Sequence, residues 1–336
     1  MPFISSVRRA FGPQGRKNTP YRLYAFSSHV FTAAGAGGRF GPTLANCQSA
    51  YASTSWKNDS NSFGMDIQGI QRWKVPQTGR YRIVTVGAPG GRACDNTAGW
   101  GSGTSMQGDF NLTAGTWLNI LVGQRGINDP AYATYGSGTR MSAGGGGGSG
   151  VWLDSTIEPL IMSGGGAGSS DQPESFDGRH TYTKATTSTT ANRAWNESNF
   201  VGGTSAGFGG TTPCSNSSAN AAPGGGFKSA GQDCGAGGGA RLQTSGVGGT
   251  ANSGDGNRNN NAGQNMHGGF GGGGGPGGWY GCSGGGGGYS GGSSGSDSDG
   301  RAAGGGGGSY NTGTNQVNSV LGNGQTGHGS VTITRL

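Results

Sequence analysis

The first part of the chain alternates between apolar and polar residues. In the segment RYRIVTVG, Tyr81, Ile83 and Thr85 fall on one face, and the two arginines fall on the other. A period of two residues is typical of a half-buried β-strand. The same reasoning predicts further short strands, separated by turn residues, in YRLYAF, SHVFTAAG, GIQRWKVP, GDFNLTAG and TWLNILVG.

Several short strands at this spacing predict an all-β protein, a jelly-roll-like antiparallel sandwich. No segment shows the 3.6-residue period of an amphipathic helix. The pattern divides the chain into an extended basic arm (1–20), a β-sandwich (21–143), a glycine-rich insertion (144–326, with strands near 150–163) and a closing strand (327–336). The closing strand, in HGSVTITRL, makes the glycine-rich segment an insertion rather than a tail.

Glycine dominates the insertion. The chain contains 80 glycines in 336 residues, about 24%, against roughly 7% in average proteins. Such a composition with only 11% charged residues resembles that of disordered chains, but 7 Trp, 10 Tyr and 12 Phe provide material for a core. Four runs hold five consecutive glycines: 144–148, 271–275, 284–288 and 304–308.

A linker, a phosphate-binding loop or a packed structure would each explain these runs. The chain has no G-x-x-x-x-G-K-[ST] motif, which disfavours the phosphate loop. A polyproline II strand of five residues is a rod of about 15 Å, and equal rods can pack into a layer. Buried rods must find hydrogen-bond partners on their neighbours, and only glycine permits backbones to approach on every side. Flanking aromatic residues would cover the bundle: Trp152, Phe270, Trp279, Tyr280, Tyr289 and Tyr310.

The formal net charge is +7, and much of the excess lies in SVRRAFGPQGRKNTPYR near the N-terminus. The rest of the chain lacks a basic stripe, so we expect this arm to dock on a protein rather than on nucleic acid. The chain has no run of 18 apolar residues, and we expect no membrane insertion. The absence of a leader sequence and the odd number of cysteines, five, predict assembly in a reducing cytoplasm.

No cluster of chemically reactive residues stands out. The four histidines are far apart, and no nucleophile elbow is visible. Cys214 and Cys234 either pair with each other or remain buried thiols. We therefore expect no catalytic residue, no cofactor and no metal. Polar loops with an aromatic anchor are candidate contacts with a host glycan or protein, solvated loops being the equal alternative: Trp195, Asn196, Asn259, Asn260 and Asn261.

The segments HVFTAAGAGGRFGPTLANCQSAY and GIQRWKVPQTGRYRIVTVGAPGG resemble the extracellular glycine-rich domain of the anaplastic and leukocyte lymphoma kinase receptors. The motifs NILVGQRG, AGGGGGSGVW, PLIMSGGGAG, GGFGGGGG and CSGGGGGYSGG continue the resemblance in the same order, over about residues 26–336. It implies a tumour-necrosis-factor-like sandwich with hexagonally packed polyglycine helices. The family's first cysteine aligns with Ala34, so the resemblance leaves Cys47, and likewise Cys282, without a partner.

The N-terminal ISSVRRAFGPQGR resembles the opening of glycine-rich virion proteins of marine tailed phages. With these resemblances, the patterns predict a non-enzymatic structural protein of a tailed-phage virion, a surface-displayed fibre or tail-associated protein or a host-binding adhesin. We expect it to be assembled in the host cytoplasm and to be present as a homo-oligomer or in repeated copies. Residues 1–20 would anchor it to other virion proteins through Arg8, Arg9, Arg16 and Lys17. The alternative is a subunit of a self-assembling extracellular fibre.

Overall fold

The computed structural model describes residues 22–93, 100–128, 142–170, 180–194, 202–212, 220–252, 266–278, 282–294, 302–322 and 325–336. Within these ranges, two antiparallel sheets and two short helices form, so the prediction of an all-β sandwich is confirmed. The elements are β1 (Ser28–Phe31), α1 (Leu44–Ala50), β2 (Phe63–Ile67), β3 (Ile70–Lys74), β4 (Gly79–Val86), β5 (Thr104–Leu112), β6 (Trp117–Leu121), β7 (Ser149–Leu153), β8 (Ile161–Ser163), α2 (His180–Thr183), β9 (Tyr310–Asn311), β10 (Thr314–Val320) and β11 (Ser330–Arg335).

Sheet I has the strand order β1-β11-β4-β5-β10, and sheet II has the order β2-β3-β6-β7-β8-β9. The C-terminal strand β11 lies between β1 and β4, and Ile333 pairs with both His29 and Ile83. The last residues of the chain therefore form an interior strand of sheet I.

The main core lies between the two sheets. Tyr81, Ile83 and Thr85 are fully buried, as the alternation in β4 predicts. Trp73, Leu118 and Val151 lie on strands of sheet II and belong to the same apolar cluster as Tyr81 and Ile83. Full burial of each large apolar side chain contributes about 1.5–3 kcal/mol, so this aromatic-rich cluster is the main source of stability for the sandwich.

A second apolar cluster joins the outer face of sheet II to the glycine-rich segment. The sheet contributes Ile70, Leu121, Trp152 and Met162, and the glycine-rich segment contributes Phe227, Leu242, Phe270 and Tyr289. Tyr310 packs against this cluster, and Trp279 and Tyr280 lie outside the described residues. The glycine-rich segment is thus attached to the sandwich through large side chains that project from it.

The structure corrects two expectations about local structure. Residues 22–26 of YRLYAF form no strand, because their contacts run to the end of β3: the Leu23 N–H donates to the Pro76 carbonyl at 2.9 Å. Helix α1 gave no periodic signal because it has seven residues and buries only Cys47. Its start is nonetheless encoded locally, since Thr43 and Asn46 form a capping box.

Strand β10 lies at one edge of sheet I, and all seven of its residues are exposed. It contains no charged residue. The sequence analysis did not predict this strand, because its pattern TNQVNSV has no buried face to produce an alternation.

Candidate functional site: a glycine lattice and an outer-sheet cleft

The residues predicted to make contacts with partners lie outside the described part of the chain. This holds for the anchoring residues Arg8, Arg9, Arg16 and Lys17 and for the host-contact candidates Trp195, Asn196, Asn259, Asn260 and Asn261. Both sets stay predictions. The described residues instead present two features with consequences for function: the packed glycine runs and a polar cleft on sheet II.

The glycine runs are buried and form neither α-helix nor strand. Among the described residues with positive φ, none belongs to 144–148, 284–288 or 304–308. In the fourth run, 271–275, Gly271 and Gly272 have positive φ values of 97° and 78°. The expectation of four equal rods is therefore wrong for 271–275. That run begins with a turn, in which the Gly273 N–H donates back to the Gly269 carbonyl at 3.0 Å.

The direction of hydrogen bonding in the run 144–148 repeats every three residues. The first and fourth N–H groups donate to the segment 124–127, the second and fifth donate to 271–274, and the third donates to Gly166. The carbonyls follow the same period: those of Gly144 and Gly147 accept from Gly91 and Ala88. The run thus forms hydrogen bonds with neighbouring segments on several sides, and none of its five N–H groups donates to another residue of the run.

The run 284–288 repeats this arrangement. Its first and fourth N–H groups donate to Ala143 and Gly146, and its second and fifth donate to Ala222 and Gly225. Gly286 and the following Tyr289 donate to Gly305 and Gly308. Each acceptor lies three residues after the previous one, so donor and acceptor segments advance in step. We call this network of cross-bonded glycine segments the glycine lattice.

The glycine lattice leaves no room for side chains. A Cβ atom built on Gly145 would lie 1.9 Å from the Gly285 oxygen, and one on Gly147 would lie 1.8 Å from the Phe270 oxygen. At Gly286 the distance to the Gly165 oxygen would be 2.0 Å. Real Cβ contacts below 3.0 Å are essentially never seen. Glycine is therefore required here by space, at positions where the backbone dihedrals alone would admit alanine.

A buried carboxylate fastens β10 to the rest of sheet I. Asp109 on β5 accepts hydrogen bonds from Arg80 at 2.7 Å, from Arg82 at 2.8 Å and from Asn315 at 2.9 Å. The bond from Arg82, followed by that from Asn315, holds the pKa of Asp109 well below its usual range. The cluster connects three adjacent strands.

The polar cleft follows from the register of sheet II. Arg72 pairs with Asn119, and Asn119 pairs with Trp152, so these side chains form one row across β3, β6 and β7. They point outward because Trp73, Leu118 and Val151, their chain neighbours, point into the core. The row lines a cleft of about 340 Å³ that is bounded by Asp66, Asp154 and residues 243–244. We call this space the outer-sheet cleft.

Ion pairs organise the outer-sheet cleft. The Arg72 guanidinium contacts the Asp66 carboxylate on one side and donates to Asp154 at 2.6 Å on the other. Asn119 donates its amide N–H to the second oxygen of Asp154 at 2.7 Å. Alternation in the sequence does not single out these residues, because the outward face of β3 and β6 also carries Ile70 and Leu121. The sequence also does not reveal that the three strands lie side by side.

The cysteines behave in two ways. Cys234 is disulfide-bonded, and Cys214 lies outside the described residues. Cys47 is a buried free thiol, and Cys282 is also buried. Burial raises the pKa of Cys47 to about 12. Within the described ranges, no group of three or more His, Cys, Asp or Glu residues is arranged to hold a metal ion, and no helix is long and apolar enough to cross a membrane.

Comparison with known proteins finds partial similarity to a receptor. A scan against protein-family profiles finds no match. A stretch of 97 residues, 29% of this chain, is 39% identical to part of the leukocyte tyrosine kinase receptor of Mus musculus. The similarity extends over 11% of that receptor's length, so the chain is similar to a short portion of the receptor.

Proposed function

We propose that the glycine lattice is a bundle of polyproline II-type polyglycine helices. A helix of this type has three residues per turn and no internal hydrogen bonds. The support is the three-residue period of hydrogen bonding in 144–148 and 284–288, together with contacts to segments on every side. The absence of space for a Cβ atom is the packing that such a bundle requires.

We further propose that the chain is a non-enzymatic structural protein of a tailed-phage virion, displayed on the particle surface as a fibre component or adhesin. The observation that carries this proposal is the glycine lattice bonded to one face of a β-sandwich through the second apolar cluster. Backbone segments that are hydrogen-bonded to neighbours on several sides form a stiff unit, which suits a structural protein that projects from a particle. The virion assignment itself depends on the resemblance of residues 4–16 to the opening of phage virion proteins.

Deletion of residues 1–20 tests the proposed anchor. We expect the truncated protein to fold as a monomer or small oligomer with unchanged thermal unfolding, because the described sandwich makes its core from later residues. In particles assembled with the truncated protein, immunogold labelling should be lost, whereas the full chain should label the particle surface. Labelling at the wild-type level, or loss of folding after truncation, would refute the anchor.

One observation favours the alternative of a self-assembling fibre. Strand β10 is an exposed, uncharged sheet edge, and natural proteins usually protect such edges because they pair with other chains. The same truncation separates the two functions. A fibre subunit whose arm docks on the next copy would lose self-association in sedimentation experiments, and it would never label particles.

A further inference from the structure

We propose that the outer-sheet cleft binds a neutral saccharide through its hydroxyl groups. This inference goes beyond the virion assignment, since it depends only on the chemistry of the cleft. It also places a candidate ligand contact on the described sandwich, away from the loops at 195–196 and 259–261.

Charge excludes ionic ligands from the cleft. Asp66 and Asp154 stand on either side of Arg72, so an anion would face two carboxylates at close range. A metal ion or a lysine side chain would instead meet the guanidinium that already occupies the space between the carboxylates. The pairing leaves a surface that is strongly polar but nearly balanced in charge, which favours an uncharged ligand.

The unpaired polar atoms match hydroxyl groups. Among the described residues, no partner is found for the second oxygen of Asp66, for Oδ1 of Asn119 or for the hydroxyl of Thr244, all of which border the cleft. The Nε–H of Arg72 also lacks a partner there, but it is sealed from solvent, so the groups that a ligand can reach are those of Asp66, Asn119 and Thr244. These groups are both acceptors and donors. A hydroxyl group donates once and accepts twice, so the adjacent hydroxyls of a sugar ring satisfy such a mixed set.

The shape of the cleft agrees with a small saccharide. Its volume of about 340 Å³ lies at the lower end of the range of roughly 300–1,000 Å³ for small-molecule sites. Ile70 and Trp152 close the inner end of the cleft, where other side chains already cover almost all of their surface. A ligand site usually combines a small number of convergent polar groups with apolar lining residues.

Two variants of the full-length protein test the proposal. Asp66→Asn removes a charged acceptor at a side chain that is 70% exposed, and Thr244→Trp fills the mouth of the cleft from an exposed turn. Thr332→Val, at a half-buried position on the outer face of sheet I, is a control away from the cleft. Binding is first surveyed on an array of neutral, sialylated and sulfated glycans and then measured by titration calorimetry with the best neutral saccharide.

We expect the wild-type protein to bind one or a few neutral saccharides. Each cleft variant should weaken that binding about tenfold or more, while the control and the melting temperatures stay unchanged. The Trp variant keeps the test open if the Asp66 variant fails to fold. The proposal is overturned if no neutral saccharide binds at millimolar concentration, if only charged glycans bind, or if both cleft variants bind as the wild type does.

Discussion

Replacement of Gly286 by alanine measures how strongly the glycine lattice depends on the absence of side chains. The new Cβ atom would lie 2.0 Å from the Gly165 oxygen and 2.9 Å from the Gly307 nitrogen. To reach even the lower limit of 3.0 Å, the segment at Gly165 must move by 1.0 Å. Because Gly286 has no positive φ, alanine adopts its backbone conformation without strain, and the cost is steric.

The movement disrupts hydrogen bonds on both sides of Gly165. The Gly307 N–H donates to the Gly165 carbonyl at 2.9 Å, and the Gly165 N–H donates to the Gly287 carbonyl at 2.7 Å. Each buried group left without a partner costs about 1–3 kcal/mol, and overpacking adds about 1–3 kcal/mol. After partial relaxation we expect the free energy of unfolding to fall by about 3–6 kcal/mol, a large share of the roughly 5–15 kcal/mol of a typical protein.

The assay is urea unfolding followed by tryptophan fluorescence, with Gly64→Ala as the matched control. Gly64 lies in β2, and a Cβ atom there would have no neighbour within 4 Å. The control should therefore raise stability slightly, by about 0.5–1 kcal/mol, because alanine loses less chain entropy on folding. If Gly286→Ala changed the free energy of unfolding by less than about 0.5 kcal/mol, the steric reasoning would be refuted. The larger Gly286→Val should unfold the lattice outright.

Three further predictions concern ionisable groups. Because its pKa is depressed in the folded state, Asp109 stabilises the fold above its unfolded pKa of about 3.9, and this contribution is lost as the pH falls further; Asp109→Asn should flatten the acid limb of the melting temperature against pH. Burial beside three aromatic rings lowers the pKa of His29 to about 4, so an NMR titration should find its imidazole neutral at pH 6, and a midpoint near 6.5 would contradict the packing. Since the pKa of Cys47 is raised to about 12, iodoacetamide at pH 8 should leave it unmodified in the native protein and alkylate it in urea, as read by peptide mass spectrometry.

The sequence predicted those elements whose side chains alternate between core and solvent. Strand β4 is an example, since Tyr81 and Ile83 must face inward. Strand β10 was not predicted because both of its faces are exposed, and helix α1 was not predicted because it is less than two turns long. In each missed case, local burial is too slight to produce a period.

The arrangement of the glycine segments was harder to anticipate. Five identical residues carry no register information, so nothing in 144–148 itself specifies that Gly145 donates to Gly274. Large side chains at the ends of the runs supply that information: Phe270 and Tyr289 are held in the second apolar cluster and fix where their runs begin or end. The outer-sheet cleft escaped for a related reason, because Arg72, Asn119 and Trp152 meet only through strand register.

Hydrogen–deuterium exchange of the full chain tests the central claim most directly, because every N–H of the run 284–288 has a buried backbone acceptor. We predict that peptides containing 144–148 and 284–288 exchange as slowly as peptides from the central strand β4, and far more slowly than the edge strand β10. If the glycine runs instead exchange within seconds, at the rate of an unprotected chain, they are a linker and the glycine lattice does not exist.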